Sequence, residues 1–226
     1  GDLAAADSLL REALEVSRKI FGNQHPCTLN SIGNLGELLH AKGDLAGAES
    51  LLRKALEVKR KTLGNRHAST LVSIGTLSAL LKAKGDLAAA DSLLREALEV
   101  SRETLGSRHP GTLWFISSLG LMFEAKGDLA AAEPLLREAL EGCREALGIH
   151  HPHTLSSINN LGVLLEAKGD LAAVEPLSRE ALEVRRKTLG NRHPDTLGSI
   201  NNLGALLYAK GDLAAAEPLY REALEV

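Results

Sequence analysis

The sequence of 226 residues predicts an all-α protein, a solenoid of antiparallel helix pairs with about eleven helices. The tetrapeptide GDLA begins at residues 1, 43, 85, 127, 169 and 211, which gives a period of forty-two residues with no insertion or deletion. An unbroken period of this length is typical of a solenoid, because each unit packs against its neighbours in the same way. We therefore expect a single array over residues 1–226, with full units at 1–42, 43–84, 85–126, 127–168 and 169–210 and a partial unit at 211–226.

Each period carries the pattern of two helices, a first helix that follows an HPDTL-like segment and a second helix that follows GDLA. The last first helix has one apolar stripe, made of Leu197, Ile200, Leu203, Gly204 and Leu207. Pro194 suits its first turn, and Gly211 supplies the left-handed residue that ends it. Asp212 is expected to cap the second helix. The stripe of that helix is Leu213, Ala216, Leu219, Tyr220, Ala223 and Leu224.

Three prolines fall inside second helices. Pro134, Pro176 and Pro218 occupy a position that holds Ser8, Ser50 and Ser92 in other units. Proline removes a backbone hydrogen bond and crowds the preceding turn. Because these prolines lie close to the start of the helix, we predict a mild bend and not a break. The basic turn at the end of the second helix, as in residues 184–190, suits the carboxyl end of the helix dipole.

The composition is that of a folded, soluble protein, with 44% hydrophobic residues, 24% charged residues and a formal net charge of −3. It argues against a nucleic-acid partner, which would require a basic surface. No apolar run approaches the ~18–20 residues of a membrane span, and the opening segment is not a signal peptide, so we expect no membrane partner and a cytoplasmic location. Cys27 and Cys143 are expected to be free thiols. The single methionine is Met122, so Gly1 is not expected to be a native translation start.

This sequence contains no cluster of the residue types that form catalytic, metal or cofactor sites. Five histidines share one register at the junction between helices: His25, His67, His109, His151 and His193. Each is a whole repeat from the next, so we expect them to pack and cap the junction and not to converge on a metal. His150, His151 and His153 form the tightest group, but no carboxylate or thiol lies close to them in sequence. We therefore predict no enzyme activity, no catalytic residue, no metal site and no cofactor.

The repeat resembles the tetratricopeptide repeat. The residues that occupy its signature positions are Leu161, Gly162, Leu165, Gly169, Asp170, Leu171, Ala181 and Leu182, whereas Val174 stands where alanine is usual. The forty-two-residue length, the junction LGNRHPDTL and the segment AEPL in the second helix are similar to the subtype found in kinesin light chains and nephrocystin-like proteins. The resemblance implies a right-handed superhelix, with the first helices lining its concave side. It also implies a protein or peptide partner.

The face of each first helix opposite its apolar stripe cannot be core, so it becomes the inner wall of the implied superhelix. This wall is nearly free of charge and carries amides, which can donate to and accept from the backbone of an extended peptide. The candidate peptide-binding residues are Asn30, Asn34, Thr76, Trp114, Ser118, Leu121, Asn159, Asn160, Asn201, Asn202 and Tyr208. The alternative is that these amides are merely solvated. The scarcity of cations argues against two ligands of related proteins, the acidic tails of chaperone clamps and the tryptophan-acidic peptides of kinesin light chains.

Trp114 stands where other units have Asn30, Val72, Ser156 and Gly198. An exposed aromatic residue on an uncharged concave wall is typical of a binding hot spot. The alternative is that Trp114 fills a local gap. For Phe115, Met122 and Phe123 we favour packing.

These observations favour a non-enzymatic scaffold that binds an extended peptide or a partner helix in its groove. The alternative is a regulatory sensor array excised from a larger signalling or enzymatic protein. The chain also starts and stops within second helices, so we expect uncapped ends that expose apolar residues and permit weak self-association.

Overall fold

The computed structural model describes the backbone of residues 3–225 and the side chains of residues 3–224. Gly1, Asp2 and Val226, which open and close the expected array, lie outside the described residues. The helices are α1 (Leu3–Phe21), α2 (Pro26–Ala41), α3 (Leu45–Leu63), α4 (Ala68–Ala83), α5 (Leu87–Leu105), α6 (Pro110–Ala125), α7 (Leu129–Leu147), α8 (Pro152–Ala167), α9 (Leu171–Leu189), α10 (Pro194–Ala209) and α11 (Leu213–Glu225). The prediction of an all-α fold with eleven helices is confirmed over the described residues. Even-numbered helices are the first helices of the pairs, and odd-numbered helices are the second helices.

The helices form two compact units, Gly1–Ser107 and Arg108–Val226. In the first unit each helix from α1 to α5 packs against the next, and α2 also contacts α4. In the second unit the helices from α6 to α11 pack in the same sequential way, and α6 also contacts α8. Each unit is thus a stack of antiparallel helices in which two first helices lie across the second helix between them.

The ends of the helices are set by local hydrogen bonds that recur in every repeat. At the start of each first helix a histidine Nδ1 accepts the backbone N–H two residues later, over 3.0–3.2 Å. The expectation that the five junction histidines act as caps is therefore confirmed. Asp212 Oδ1 likewise accepts the N–H of Ala215 at 3.1 Å, as we expected. Gly190 and Gly211 follow the ends of α9 and α10 with φ of 83° and 81°, which a side chain would strain.

The prolines of the second helices do not interrupt them. Pro134, Pro176 and Pro218 lie inside α7, α9 and α11, which continue as helices beyond them. Each proline is exposed, so its ring points away from the core. The prediction that proline does not break these helices is confirmed.

The core lies between each second helix and the first helices on either side. Ile158, Leu161 and Leu165 of α8 are at most 2% exposed, as the equivalent stripe of α10 predicts. On α11 the prediction is partly wrong, because Leu213 is 58% and Leu224 87% exposed. Among the described helices α11 packs only against α10, so the far side of its stripe is uncovered.

Apolar residues of α1 are exposed as well. Leu9, Val16, Ile20 and Phe21 are each between 46% and 65% exposed. Weak self-association through such surfaces stays a prediction.

Ion pairs join second helices to the turn that follows the next first helix. Glu49, Glu133 and Glu175 each pair with the lysine that follows the end of the next first helix and with an arginine one turn along their own second helix. We call these three sites the carboxylate bridges. The hydrogen bond from the lysine (Lys84, Lys168 or Lys210) is the largest cause that lowers the pKa of each carboxyl, and the arginine adds to it. The carboxylate bridges thus favour the charged form of each glutamate and hold each second helix against the first helix that follows it.

Candidate functional site

The predicted binding residues of the first unit lie on the face of their helices opposite the apolar stripe. Asn30 and Asn34 are exposed on α2. Thr76 is half-buried on α4, and its hydroxyl donates to the backbone oxygen of Val72 at 3.3 Å. Both asparagine side chains are therefore accessible to a ligand, whereas the Thr76 hydroxyl is already engaged by its own helix.

Trp114 lies on α6 of the second unit and is 44% exposed. Its ring meets that of Phe115 edge to face, with centroids 5.0 Å apart. Phe115 and Met122 are 4% and 1% exposed, so the packing interpretation is confirmed for both. The exposed half of the Trp114 ring is the part available to a ligand. Three further residues of this helix are half-buried: Ser118, Leu121 and Phe123.

The predicted amides of α8 and α10 have different surroundings. Asn159, Asn201 and Asn202 are exposed, but Asn160 is half-buried and its Nδ2 donates to Ser117 Oγ at 3.2 Å. Because Ser117 belongs to α6, the Asn160 side chain links two first helices, a use that the sequence pattern did not suggest. Tyr208 is 64% exposed near the end of α10.

A cavity of about 700 Å³ lies between α8, α9 and α10, and we call it the α8–α10 cavity. Asn159 and Asn202 face it from its two sides, so the structure brings these two predicted residues together. Asn160, Asn201 and Tyr208 are not part of its lining. The lining residues are Ile158, Asn159, Gly162, Val163 and Glu166 from α8; Leu171, Val174, Leu177, Ser178, Ala181 and Arg185 from α9; and Pro194, Asp195, Gly198, Ser199, Asn202, Ala205, Leu206 and Ala209 from α10.

The cavity exists because Ser178 replaces the large residue that covers the equivalent glycine in other repeats. A Cβ placed on Gly36 or Gly120 would lie 2.7 or 2.8 Å from the covering leucine, Leu52 or Leu136. A Cβ on Gly162, which faces Ser178, would meet nothing within 4 Å. Gly162, which is equivalent to the stripe residue Gly204, is therefore left uncovered, because the Ser178 side chain is too short to reach it.

Arg185 brings a positive charge to this cavity. We expected it to interact with the carboxyl end of its helix, but its Nη1 donates to Ser199 Oγ on α10. It is half-buried, and no carboxylate in residues 3–224 forms an ion pair with it. The next residue, Arg186, pairs instead with Glu222. The second helices thus supply groups to a face that the sequence assigned to the first helices alone.

Lys59 is the equivalent residue in the first unit. It is 4% exposed, and its ammonium group donates to Ser73 Oγ at 2.8 Å and to the backbone oxygen of Ser69 at 3.4 Å. Burial lowers the pKa of this ammonium group. Other repeats carry Ser17, Ser101 and Cys143 at this position. A cation at a position otherwise held by small side chains was the signal in the sequence that could have identified both Lys59 and Arg185.

Neither a metal site nor a membrane-spanning helix is found in the described part of the chain. No group of three or more histidine, cysteine, aspartate or glutamate side chains is arranged to hold a metal ion there. Within the same residues, no helix is both long enough and apolar enough to cross a membrane. Cys27 is exposed and Cys143 buried, and both are free thiols, as expected.

Comparison with known proteins bears directly on this architecture. The tetratricopeptide repeat family matches residues 1–61, 33–103, 66–145, 115–185 and 175–226. The chain belongs to the tetratricopeptide repeat family. Members of this family generally act as protein–protein interaction scaffolds without enzyme activity. A search of curated proteins finds no match.

Solved structures of other tetratricopeptide repeat proteins resemble this chain closely. BtubC (BKLC) from P. vanneervenii is 25% identical, with a TM-score of 0.84 over 100% of this chain and 91% of that one. A kinesin light chain-like protein of Podosopora anserina, with nearly identical TPR-like repeats, is 27% identical with a TM-score of 0.77 over 89% of this chain and 95% of that one. A Rap protein complexed with Competence and Sporulation Factor shares the fold at 12% identity, with a TM-score of 0.71 over 96% of this chain and 58% of that one. The resemblance to kinesin light chain-like repeats is confirmed.

Proposed function

We propose that this tetratricopeptide repeat protein is a non-enzymatic scaffold that binds an extended peptide or a partner helix in the concave groove lined by its first helices. The observation that carries the proposal is the pair of exposed amides, Asn159 and Asn202, on opposite sides of the α8–α10 cavity. Each carboxamide can donate one hydrogen bond and accept another, which matches the alternating N–H and C=O groups of an extended backbone. Binding of this kind is tolerant of peptide sequence, because the groups recognised are common to all residues.

Three further observations support a peptide ligand. The face is concave over the α8–α10 cavity, and its lining combines apolar side chains with a few polar groups, as is usual for ligand sites. Trp114 offers half of an aromatic ring on another first helix of the same unit. A Rap protein with this fold has been crystallised in complex with Competence and Sporulation Factor. We place this function in the cytoplasm, where free thiols such as Cys27 persist.

The experiment that tests this function compares the double variant Asn159→Ala/Asn202→Ala with the protein itself. We expect peptides selected from a random twelve-residue library to bind the double variant at least about tenfold more weakly, since each lost hydrogen bond is worth ~0.5–1.5 kcal/mol. The loss should be similar for peptides of unrelated sequence. The matched control is Asn191→Ala, because Asn191 is exposed in a turn and does not line the cavity. Equal binding by the protein and the double variant would rule out recognition through these amides.

A further inference from the structure

We propose that the exposed face of α1 and α3 binds an acidic segment of a partner protein, which places a carboxylate between Arg18 of α1 and Lys54 of α3. We call these two residues the cation pair. They lie on second helices, so the inference does not depend on the peptide-binding function proposed for the first helices. It follows from an ion pair that recurs in the repeats and that is replaced here by two positive charges.

Successive second helices are joined by an ion pair that recurs in both units. An arginine near the end of one second helix pairs with a glutamate thirty-six residues later, on the following second helix. The pairs are Arg60–Glu96, Arg144–Glu180 and Arg186–Glu222. Their side chains are 21–39% exposed, so each pair is partly shielded from solvent. The packing of the second helices therefore brings these two positions of the repeat into contact.

The cation pair occupies the same two positions in α1 and α3. Arg18 is the usual arginine, but the residue thirty-six positions later is Lys54, where the other repeats carry glutamate. Both side chains are exposed, and neither forms an ion pair with any carboxylate of residues 3–224. Glu15 precedes Arg18 by three residues and Glu57 follows Lys54 by three, but both pair with lysines of their own helices. The arrangement that joins opposite charges elsewhere thus holds two cations side by side.

A carboxylate has the charge and the hydrogen-bonding groups that the cation pair lacks. Its two oxygens can accept one hydrogen bond from the guanidinium group of Arg18 and another from the ammonium group of Lys54. It also offsets the repulsion between the two like charges. In the other repeats a glutamate of the chain itself supplies this carboxylate, so a partner that presents Asp or Glu would complete the same contact.

The charges around the cation pair favour a short acidic segment over an extended polyanion such as a nucleic acid. The helix α3 carries five cations and two carboxylates, a formal charge of +3. The neighbouring second helices are not basic, since α1 has a formal charge of 0 and α5 of −2. A nucleic acid needs a continuous row of cations for its phosphates, and the carboxylates of α5 interrupt such a row. The basic surface is one helix wide, which matches a few acidic residues of a protein.

The first test titrates a fluorescent peptide of alternating Glu and Ala residues into the protein at low ionic strength, with a Gln–Ala peptide as its neutral counterpart. We expect only the acidic peptide to bind, and its affinity to fall as salt is added. Lys54→Glu restores the residue of the other repeats, so it should weaken the acidic peptide about fivefold or more while the melting temperature is kept or raised. Arg18→Gln should weaken it about twofold or more.

Matched variants separate the cation pair from the net charge of the protein. Lys187→Glu reverses the charge of an exposed lysine on α9, and Arg221→Gln removes that of an exposed arginine on α11. Both leave the cation pair in place and should change the affinity by less than about twofold. The double variant Asn159→Ala/Asn202→Ala should also bind the acidic peptide unchanged, which separates this surface from that of the proposed function.

A second measurement identifies the contact directly. A water-soluble carbodiimide joins a carboxylate to an amine that it touches, and mass spectrometry then locates the modified lysine. We expect the main cross-link to form between the acidic peptide and Lys54. Arg18→Gln should reduce this cross-link although the Lys54 amine is unchanged, because the carboxylate loses its second partner.

The proposal is wrong if the acidic peptide does not bind, or if Lys187→Glu weakens it as much as Lys54→Glu does. Displacement of the peptide by inorganic phosphate at equal concentration would indicate a site for small anions and not for a protein segment. Self-association that is lost both at high salt and in Lys54→Glu would assign the surface to a second copy of the chain instead.

Discussion

Trp114 and Phe115 are adjacent in sequence, but α6 places their side chains on different faces. Phe115 is 4% exposed and Trp114 is 44% exposed, although their rings touch. One residue therefore belongs to the core, and the other covers it while presenting its own surface outward. Substitution of Phe115 should therefore affect stability, and substitution of Trp114 should affect binding.

We predict that Trp114→Ala leaves the free energy of unfolding nearly unchanged but weakens peptide binding by about 2 kcal/mol, as for anchor residues at interfaces. Phe115→Ala is the matched control and should cost about 3–5 kcal/mol of stability, since it empties a core position. Urea unfolding and peptide titration measure the two quantities. Comparable destabilisation by both substitutions would place Trp114 in the core and reject its role in binding.

At the scale of single residues, the cavity could not be derived from the sequence. Ser178, Gly162 and Gly198 are each unremarkable in their own helix, and the space appears only where three helices meet. Arg185 was assigned to the end of its helix because it stands in a run of cations. The direction in which a long side chain turns depends on its neighbours in space, here Ser199.

The helices themselves could be predicted almost residue by residue. Their ends depend on local capping residues, a histidine or aspartate at the start and a glycine at the end. Such residues can be identified from the sequence alone. The histidine cap is the less common device. Its Nδ1 accepts a hydrogen bond, so the proton of the neutral imidazole resides on Nε2.

The histidine cap of α4 provides a test at the level of the element. Residue 68 is alanine, whereas the other first helices begin with proline, whose fixed backbone angle suits the first turn of a helix. The helix α4 therefore depends more on its cap. We predict that His67→Ala lowers stability by ~1 kcal/mol, whereas His67→Asn, which can still accept the N–H of Ser69, retains most of it. Thermal melts measure both. His150→Ala is the control, because His150 is exposed in a turn and caps no helix. If alanine and asparagine are equally harmful at position 67, the ring is needed for packing and not for its acceptor.

At the scale of the whole molecule, the carboxylate bridges recur in both units. Each links a second helix to the turn after the next first helix, so their loss should loosen the packing between helices more than the helices themselves. The sequence alone does not show these pairings, because a contact over about thirty-five residues is fixed by how the helices pack.

Acid should therefore weaken the protein through these bridges. The pKa values of Glu49, Glu133 and Glu175 are lowered in the folded state, so the stability that they contribute is present above the ordinary glutamate pKa of about 4.3. It is lost as pH falls through the lowered folded value. We predict that urea midpoints decrease across this range and that the triple Glu→Gln variant at these positions is less stable at neutral pH and less sensitive to acid.

The control for this prediction is a triple Glu→Gln variant at Glu12, Glu99 and Glu141, which are exposed on second helices and take part in none of the bridges. Its pH profile should follow that of the unchanged protein. A triple variant at the carboxylate bridges with the same acid sensitivity as the unchanged protein would contradict the linkage.

The carboxylate bridges have a consequence for how such a protein can acquire new ligands. They hold helices together without using any residue of the α8–α10 cavity, so different positions of the same forty-two-residue repeat provide stability and ligand recognition. Substitutions at equivalent positions of the repeats, as at Ser178 or Gly198, can change the ligand preference of one segment. The packing of the remaining helices would be unchanged, and a new specificity could evolve one substitution at a time.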